Sequence, residues 1–122
     1  MKISKADFEE MKAKYNKEVK KGKSAKDKNN KDVTEQTNWV SHTKEDLMEV
    51  LNQEGVTGIK FHFTEYTQKV AEEFYGKEAE LYVGRIGLVY SPIYDSSASA
   101  KSVNLDEDEY YDKGTNCPPK CQ

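Results

Sequence analysis

The sequence predicts an α+β fold: a small, largely antiparallel sheet of three to four strands, an N-terminal and a central helix on one face of it, and a polar C-terminal tail. Three observations carry this expectation. Between Gly55 and Tyr66 the apolar residues Ile59, Phe61 and Phe63 alternate with Lys60, His62 and Thr64, the period of a strand with one face on a core and one near water. Two stretches, Phe8 to Val19 and Leu47 to Leu51, repeat apolar residues at spacings of three and four, the period of a helix. The connection at Gly55 is short, so the second helix packs next to the strand that follows it.

Taken in order, Ser4 is a good N-cap, with Asp7 three residues on, where a carboxylate suits the helix dipole. Phe8, Met11, Tyr15 and Val19 make one stripe of a helix expected over Ser4–Lys21, and Gly22 is its expected stop. Residues 23–36 are polar and read as a flexible loop. Thr37 to His42 is a short strand candidate. Thr43, with Asp46 three residues on, opens a second helix to Gln53, with Leu47, Val50 and Leu51 as its buried stripe. Residues 67–77 fit either a helix ending at Gly76, with Val70, Ala71 and Phe74 on one side, or a hairpin excursion. Leu81 to Tyr94 reads as a long strand bent between Gly84 and Gly87, with Pro92 limiting its pairing. The expected organisation is one domain over residues 1–95 and a polar, acidic tail over 96–122.

Charge is unevenly spread. Residues 1–33 carry 11 Lys against 6 acidic residues, while residues 34–122 carry 8 basic against 16 acidic. A basic arm invites nucleic acid. However, the only arginine is Arg85, and no aromatic interrupts the Lys run from Lys20 to Lys31, so nothing there forks a phosphate or stacks on a base. Nucleic acid is therefore not the expected partner. No stretch approaches the roughly 20 apolar residues that span a bilayer, and the N-terminus lacks the apolar run of a signal peptide, so a cytoplasmic protein with no membrane partner is expected.

Cys117 and Cys121 are the unusual pair. Their spacing is neither that of a thioredoxin-like site nor half of a zinc ribbon. With Pro118 and Pro119 in polyproline conformation the two Cα atoms would sit roughly 12 Å apart. A disulfide needs less than about 7 Å, so a bridge or a shared metal requires a turn or a cis proline in the motif. Free thiols, a disulfide and a metal site stay open. For the metal, zinc held by Cys117, Cys121, His42 and His62 is the available set. Each histidine also has an ordinary reading, His42 before a helix cap and His62 on a polar strand face. A calcium loop starting at Asn104 fails, because Glu109 stands where it needs Gly and Thr115 where it needs Glu.

The stretch Asn38-Trp39-Val40-Ser41 leading to Lys44-Glu45-Asp46-Leu47, the strand from Gly55 through Ile59-Lys60-Phe61-His62-Phe63, and the ending Cys117-Pro118-Pro119-Lys120-Cys121 occur in that order. With them the chain resembles a group of small uncharacterised bacterial proteins that combine a Gly-Ile-Arg-Ile-Tyr-like strand with a Cys-Pro-Pro-x-Cys-like C-terminus. Lys60 stands where those relatives tend to carry Arg, and the excursion over residues 67–78 is longer here. The resemblance implies an order of elements and a tail that belongs to the protein. It implies no chemistry.

Catalysis finds little support, since the sequence holds no Gly-rich phosphate loop and no nucleophile elbow. The expected function is a non-catalytic module that binds another protein, with a homo-oligomer left open. Its candidate surface is Lys60, His62 and Thr64 with the tyrosines Tyr82, Tyr90 and Tyr94, because tyrosine combines an apolar ring with a bonding tip. The alternative is a metal-binding or thiol-redox protein working through Cys117 and Cys121.

Overall fold

The computed structural model describes residues 1–95 and 109–121. The elements run β1 (Lys2–Ile3), α1 (Lys5–Lys17), a 3-10 turn (Val19–Lys21), β2 (Trp39–Ser41), α2 (Lys44–Leu51), β3 (Val56–Glu65), α3 (Gln68–Tyr75), a second 3-10 turn (Gly76–Leu81), β4 (Ile86–Tyr94), β5 (Tyr110–Tyr111) and β6 (Thr115–Cys117). Four strands form an antiparallel sheet in the order β1-β5-β4-β3, and β2 pairs with β6 in a second, two-stranded sheet. The class is α+β, as the periodicities predict. No helix among the described residues is long and apolar enough to cross a membrane.

The helices start where their side chains can satisfy free amides. The Ser4 hydroxyl accepts from the Asp7 amide at 3.0 Å, Thr43 from Asp46 at 3.1 Å, and Thr67 from Val70 at 3.3 Å. Gly22 ends the first helical run in a left-handed conformation, φ 79°. Residues 67–77 resolve as a helix that stops at Gly76, with Val70, Ala71 and Phe74 buried.

The two main helices lie on opposite faces of the sheet, not on one. Paired residues of a ladder point to the same side, so His62 and Val89 share one face and Phe61 and Tyr90 the other. Phe8 of α1 stacks on Tyr110, centroids 4.0 Å apart, and meets the His62 ring edge-on at 5.0 Å. On that face Ile3, Met11, Val70, Phe74 and Val89 complete the larger core. On the other, Val50 and Leu47 of α2 pack with Tyr90, Tyr111 and Ile59. Leu51, expected in the buried stripe, is exposed.

Covering both faces overturns the expected parity of β3. Thr64 is fully buried and His62 half-buried, while Phe61 and Phe63 are 49% and 55% exposed. The physical reason is length. The 8-residue α2 reaches Ile59, Tyr90 and Tyr111 and stops short of Phe61 and Phe63, the latter flanked by Tyr15 of α1 at 6.1 Å between centroids.

Two further expectations change. Residues 23–36, expected as a flexible loop, carry a hydrogen-bonded hairpin: Lys26 bridges Asp32, and the Val33 amide donates to Ala25 at 2.8 Å. The hairpin lies so close to Gly84 (φ 84°) that a Cβ there would sit 2.5 Å from the Lys26 carbonyl oxygen. The tail also enters the fold. Tyr110–Tyr111 lies between β1 and β4, and Thr115–Cys117 pairs with β2. The Ser-rich stretch and residues 106–108 of the acidic run lie outside the described residues.

Candidate functional site

β3 pairs with β4 alone among the described strands, so its far side is an edge. Tyr66 donates to the Arg85 carbonyl at 3.0 Å. By the alternation of an antiparallel ladder, Thr64, His62 and Lys60 then bond inward to β4, and Phe63, Phe61 and Ile59 turn their amides and carbonyls outward. The Lys12 ammonium, 3.1 Å from the Phe63 carbonyl, marks that direction and caps one end of the edge. The two exposed phenylalanine rings stand beside it.

The six residues expected to form an interaction surface are not one surface. Tyr82 and Tyr90 are core residues: Tyr82 stacks on Tyr75 at 3.5 Å, and Tyr90 packs between Val50 and Tyr111. Thr64 is buried and bonds the Gly87 carbonyl at 3.3 Å. His62 Nε2 lies 2.9 Å from the Ser91 hydroxyl. Only Lys60 is exposed, and Tyr94 is half-buried. Burial pushes the Tyr90 phenol up to about 12, as suits a side chain that completes a core.

The four residues weighed as zinc ligands do not come together. His42 meets Tyr90 edge-on at 4.7 Å, on the face of α2, and its Nε2 lies 2.9 Å from the Leu88 carbonyl oxygen. His62 is on the opposite face against Phe8. Burial holds the His42 imidazole below its ordinary range. Cys117 and Cys121 bond to each other as a disulfide with Cα atoms 4.5 Å apart, and both peptide bonds to the intervening prolines are cis, which is the turn the spacing requires. No group of three or more metal-ligating side chains occurs among the described residues.

Two buried carboxyl sites were not read from the sequence. Glu65, at the end of β3, is fully buried beside Glu18 and Lys14. Asp112 is also buried and lies 3.3 Å from the Tyr66 hydroxyl, which is 3.5 Å from Asn116 Oδ1 and 3.3 Å from the Tyr75 hydroxyl. The Asn116 amide donates to the Ile86 carbonyl at 3.0 Å, so this polar cluster also ties β6 to β4. A cavity of about 210 Å³ lies between the hairpin and the second 3-10 turn, lined by Asp27, Asp32, Glu35, Glu80 and Arg85 among others. Lys26 pairs with Asp32 and Lys28 with Glu80 around its mouth.

No protein-family model matches the chain. No curated protein and no solved structure matches it either. The site is therefore read from its own geometry.

Phe61 and Phe63 were counted as core because alternation marks a two-faced strand without saying which face is covered. The one local signal for Glu65 was its place at the end of the strand, in phase with the phenylalanines. Asp112 carried none, since it sits among acidic residues.

Burial pushes the Asp112 carboxyl from 3.8 up to about 7. A carboxyl raised on folding stabilises the protein fully below its unfolded value, and the contribution is lost as pH rises through the folded one. Asp112→Asn holds the group neutral and keeps an acceptor oxygen. Thermal unfolding followed from about pH 3.5, below the unfolded value, to about pH 9 is expected to show the two proteins close at the acid end and diverging as pH rises towards 7. At the alkaline end the variant should be more stable by an amount on the order of a few kcal/mol. Parallel curves would mean that Asp112 titrates normally.

Proposed function

We propose that this chain is a non-catalytic protein-interaction module of a bacterial cytoplasm that receives an extended segment of a partner protein along the outer edge of β3. The observation that carries the reading is the pairing of an open strand edge at Ile59 and Phe61 with the half-exposed rings of Phe61 and Phe63. A strand added there gains main-chain hydrogen bonds from the outward amides and carbonyls. Its alternate side chains reach the two rings, which supply apolar area and shape. Unpaired edges are ordinarily blunted, and here the Lys12 ammonium blunts the Phe63 end while leaving the Ile59 end free. Of the tyrosines that the sequence offered for this role, Tyr82 and Tyr90 are spent on the cores.

A second reading, thiol-disulfide exchange, draws on the Cys117–Cys121 bond. Cys117 is buried and Cys121 exposed, so Cys121 is the sulfur that a thiol reaches first. In a cytoplasm such a bond stands against a reducing pool, where lasting disulfides are uncommon. Intact mass before and after a mild thiol reductant is the check. A gain of two hydrogens with the fold retained supports exchange, and an oxidised mass unchanged by the reductant removes it.

For the interaction reading, a photo-crosslinking phenylalanine analogue placed at residue 61 or 63 is expected to give discrete heavier species in cells. The same analogue at Lys120, exposed after β6 on the side of β4 away from β3, should give none of them. Phe61→Ser with Phe63→Ser should abolish binding of whatever partner is captured while costing less than about 2 kcal/mol of stability, since both rings are already half in water. Absence of any species above the Lys120 control would contradict the reading.

A further inference from the structure

Glu65 ends β3 in a place where water does not reach it. Its Oε2 accepts from the Val19 amide at 3.3 Å, and its Oε1 lies 3.5 Å from Lys14 Nζ with no hydrogen-bond partner. Beside it, Glu18 Oε1 accepts from Lys14 Nζ and from the Lys26 amide, both at 2.7 Å. Lys14 Nζ also donates to the Lys26 carbonyl at 2.9 Å. Lys14 Nζ is thus shared between the two carboxyl groups, 2.7 Å from Glu18 Oε1 and 3.5 Å from Glu65 Oε1. These few contacts join the end of α1, the end of β3 and the base of the hairpin.

The charge count decides how the cluster behaves. One ammonium, Lys14, faces two carboxyl groups, Glu65 fully buried and Glu18 half-buried. From the hairpin only the Lys26 backbone points inward, its own ammonium being turned to Asp32, and the β4 residue opposite Glu65 is the apolar Ile86. With Glu65 protonated the cluster is neutral, and every contact is favourable. With Glu65 ionised a second negative charge is buried against Glu18, and the single lysine cannot balance both.

We propose that Glu65, Glu18 and Lys14 form a pH-sensitive clamp that holds the residue 23–33 hairpin on the body of the protein and loosens it when Glu65 ionises. The release step is simple acid dissociation: the Glu65 O–H bond breaks, the proton passes to solvent, and the carboxylate separates from Glu18 to regain water. The hairpin is one wall of the cavity that Asp27, Asp32 and Glu35 line from one side and Glu80 and Arg85 from the other, so loosening it opens that cavity. Burial, and then the neighbouring Glu18 carboxyl, push the Glu65 carboxyl from 4.5 up to about 7. Burial also raises Glu18, but Lys14 and the Lys26 amide outweigh it and hold that carboxyl below its usual range. The sign follows: the clamp is fully engaged below the unfolded value of Glu65 and is lost as pH rises through about 7. The clamp is independent of the β3-edge reading, and either can fail alone.

The test is on the full chain, with ¹³C-detected titration of the Glu65 carboxyl and amide exchange read as protection factors corrected for the intrinsic pH dependence. Glu65 should titrate near 7. Between the unfolded value and that midpoint the Lys26, Asp27 and Val33 amides should lose protection by up to about tenfold per pH unit and then level off, while the His62 amide in the sheet keeps its own. Glu65→Gln, which cannot ionise, should keep the hairpin protected with no step up to about pH 8.5. A Glu65 midpoint at its ordinary value, hairpin protection that does not change through the titration, or a Glu65→Gln variant with the same step would each overturn the proposal. If the variant does not fold, the wild-type titration decides alone.

Discussion

Tyr110 and Tyr111 form a strand of two residues whose rings enter both cores, and the remaining architecture depends on that wedge. Successive side chains of a strand point to opposite faces. Tyr110 therefore stacks on Phe8 under α1, ring planes 8° apart, and Tyr111 stacks on Tyr90 under α2, 5.5 Å between centroids. Burying such a ring removes a large apolar area from water, and the stacked geometry adds to it. The wedge also seats β1 at one edge of the sheet, through the pairs Lys2–Tyr111 and Ile3–Tyr110. With that side of β4 occupied, β3 is left as the long edge that no other described strand pairs.

Where β5 does not reach, side chains complete β4. Gln36 Oε1 accepts from the Ile86 amide at 2.6 Å, and the Ile86 carbonyl receives both the Thr37 hydroxyl and the Asn116 amide. His42 lies against the Leu88 carbonyl. Side chains thus stand in for a third strand along the first half of β4, a cheaper solution in a chain whose charged fraction is 34%. The cost appears in the carboxyl groups at Glu65 and Asp112, each enclosed with less compensating positive charge than it would need to ionise. Both therefore favour a proton, and the folded state is biased toward the acid side of neutrality.

What was legible in the sequence is what local chemistry decides. Ser4 and Thr43 announced their helices by caps, and Gly22 and Gly76 announced their ends, because an amide needs an acceptor and a left-handed turn favours glycine. The strand at Ile59 to Phe63 was legible as a strand. Which of its faces is covered was not, since that depends on an α2 too short to reach Phe61 and on an α1 that arrives from the far side. The hairpin over residues 23–36 looked like linker because the residues that hold it, Gly84 and the Glu65 that Lys14 and Glu18 meet, are distant in sequence. The tyrosine wedge was hidden by its acidic surroundings, and the site residues Phe61 and Glu65 were misread or missed for the same nonlocal reason.

If both cores are closed by the wedge, its removal must be felt by the whole molecule. Urea unfolding of Tyr110→Ala, Tyr111→Ala and the double variant measures this most directly. Each single change is expected to cost on the order of 3–5 kcal/mol, as truncation of a buried aromatic ring does, and the double variant to lose its cooperative transition. A double variant that unfolds cooperatively at the wild-type midpoint would contradict the account. It would mark the C-terminal segment as an appended tail.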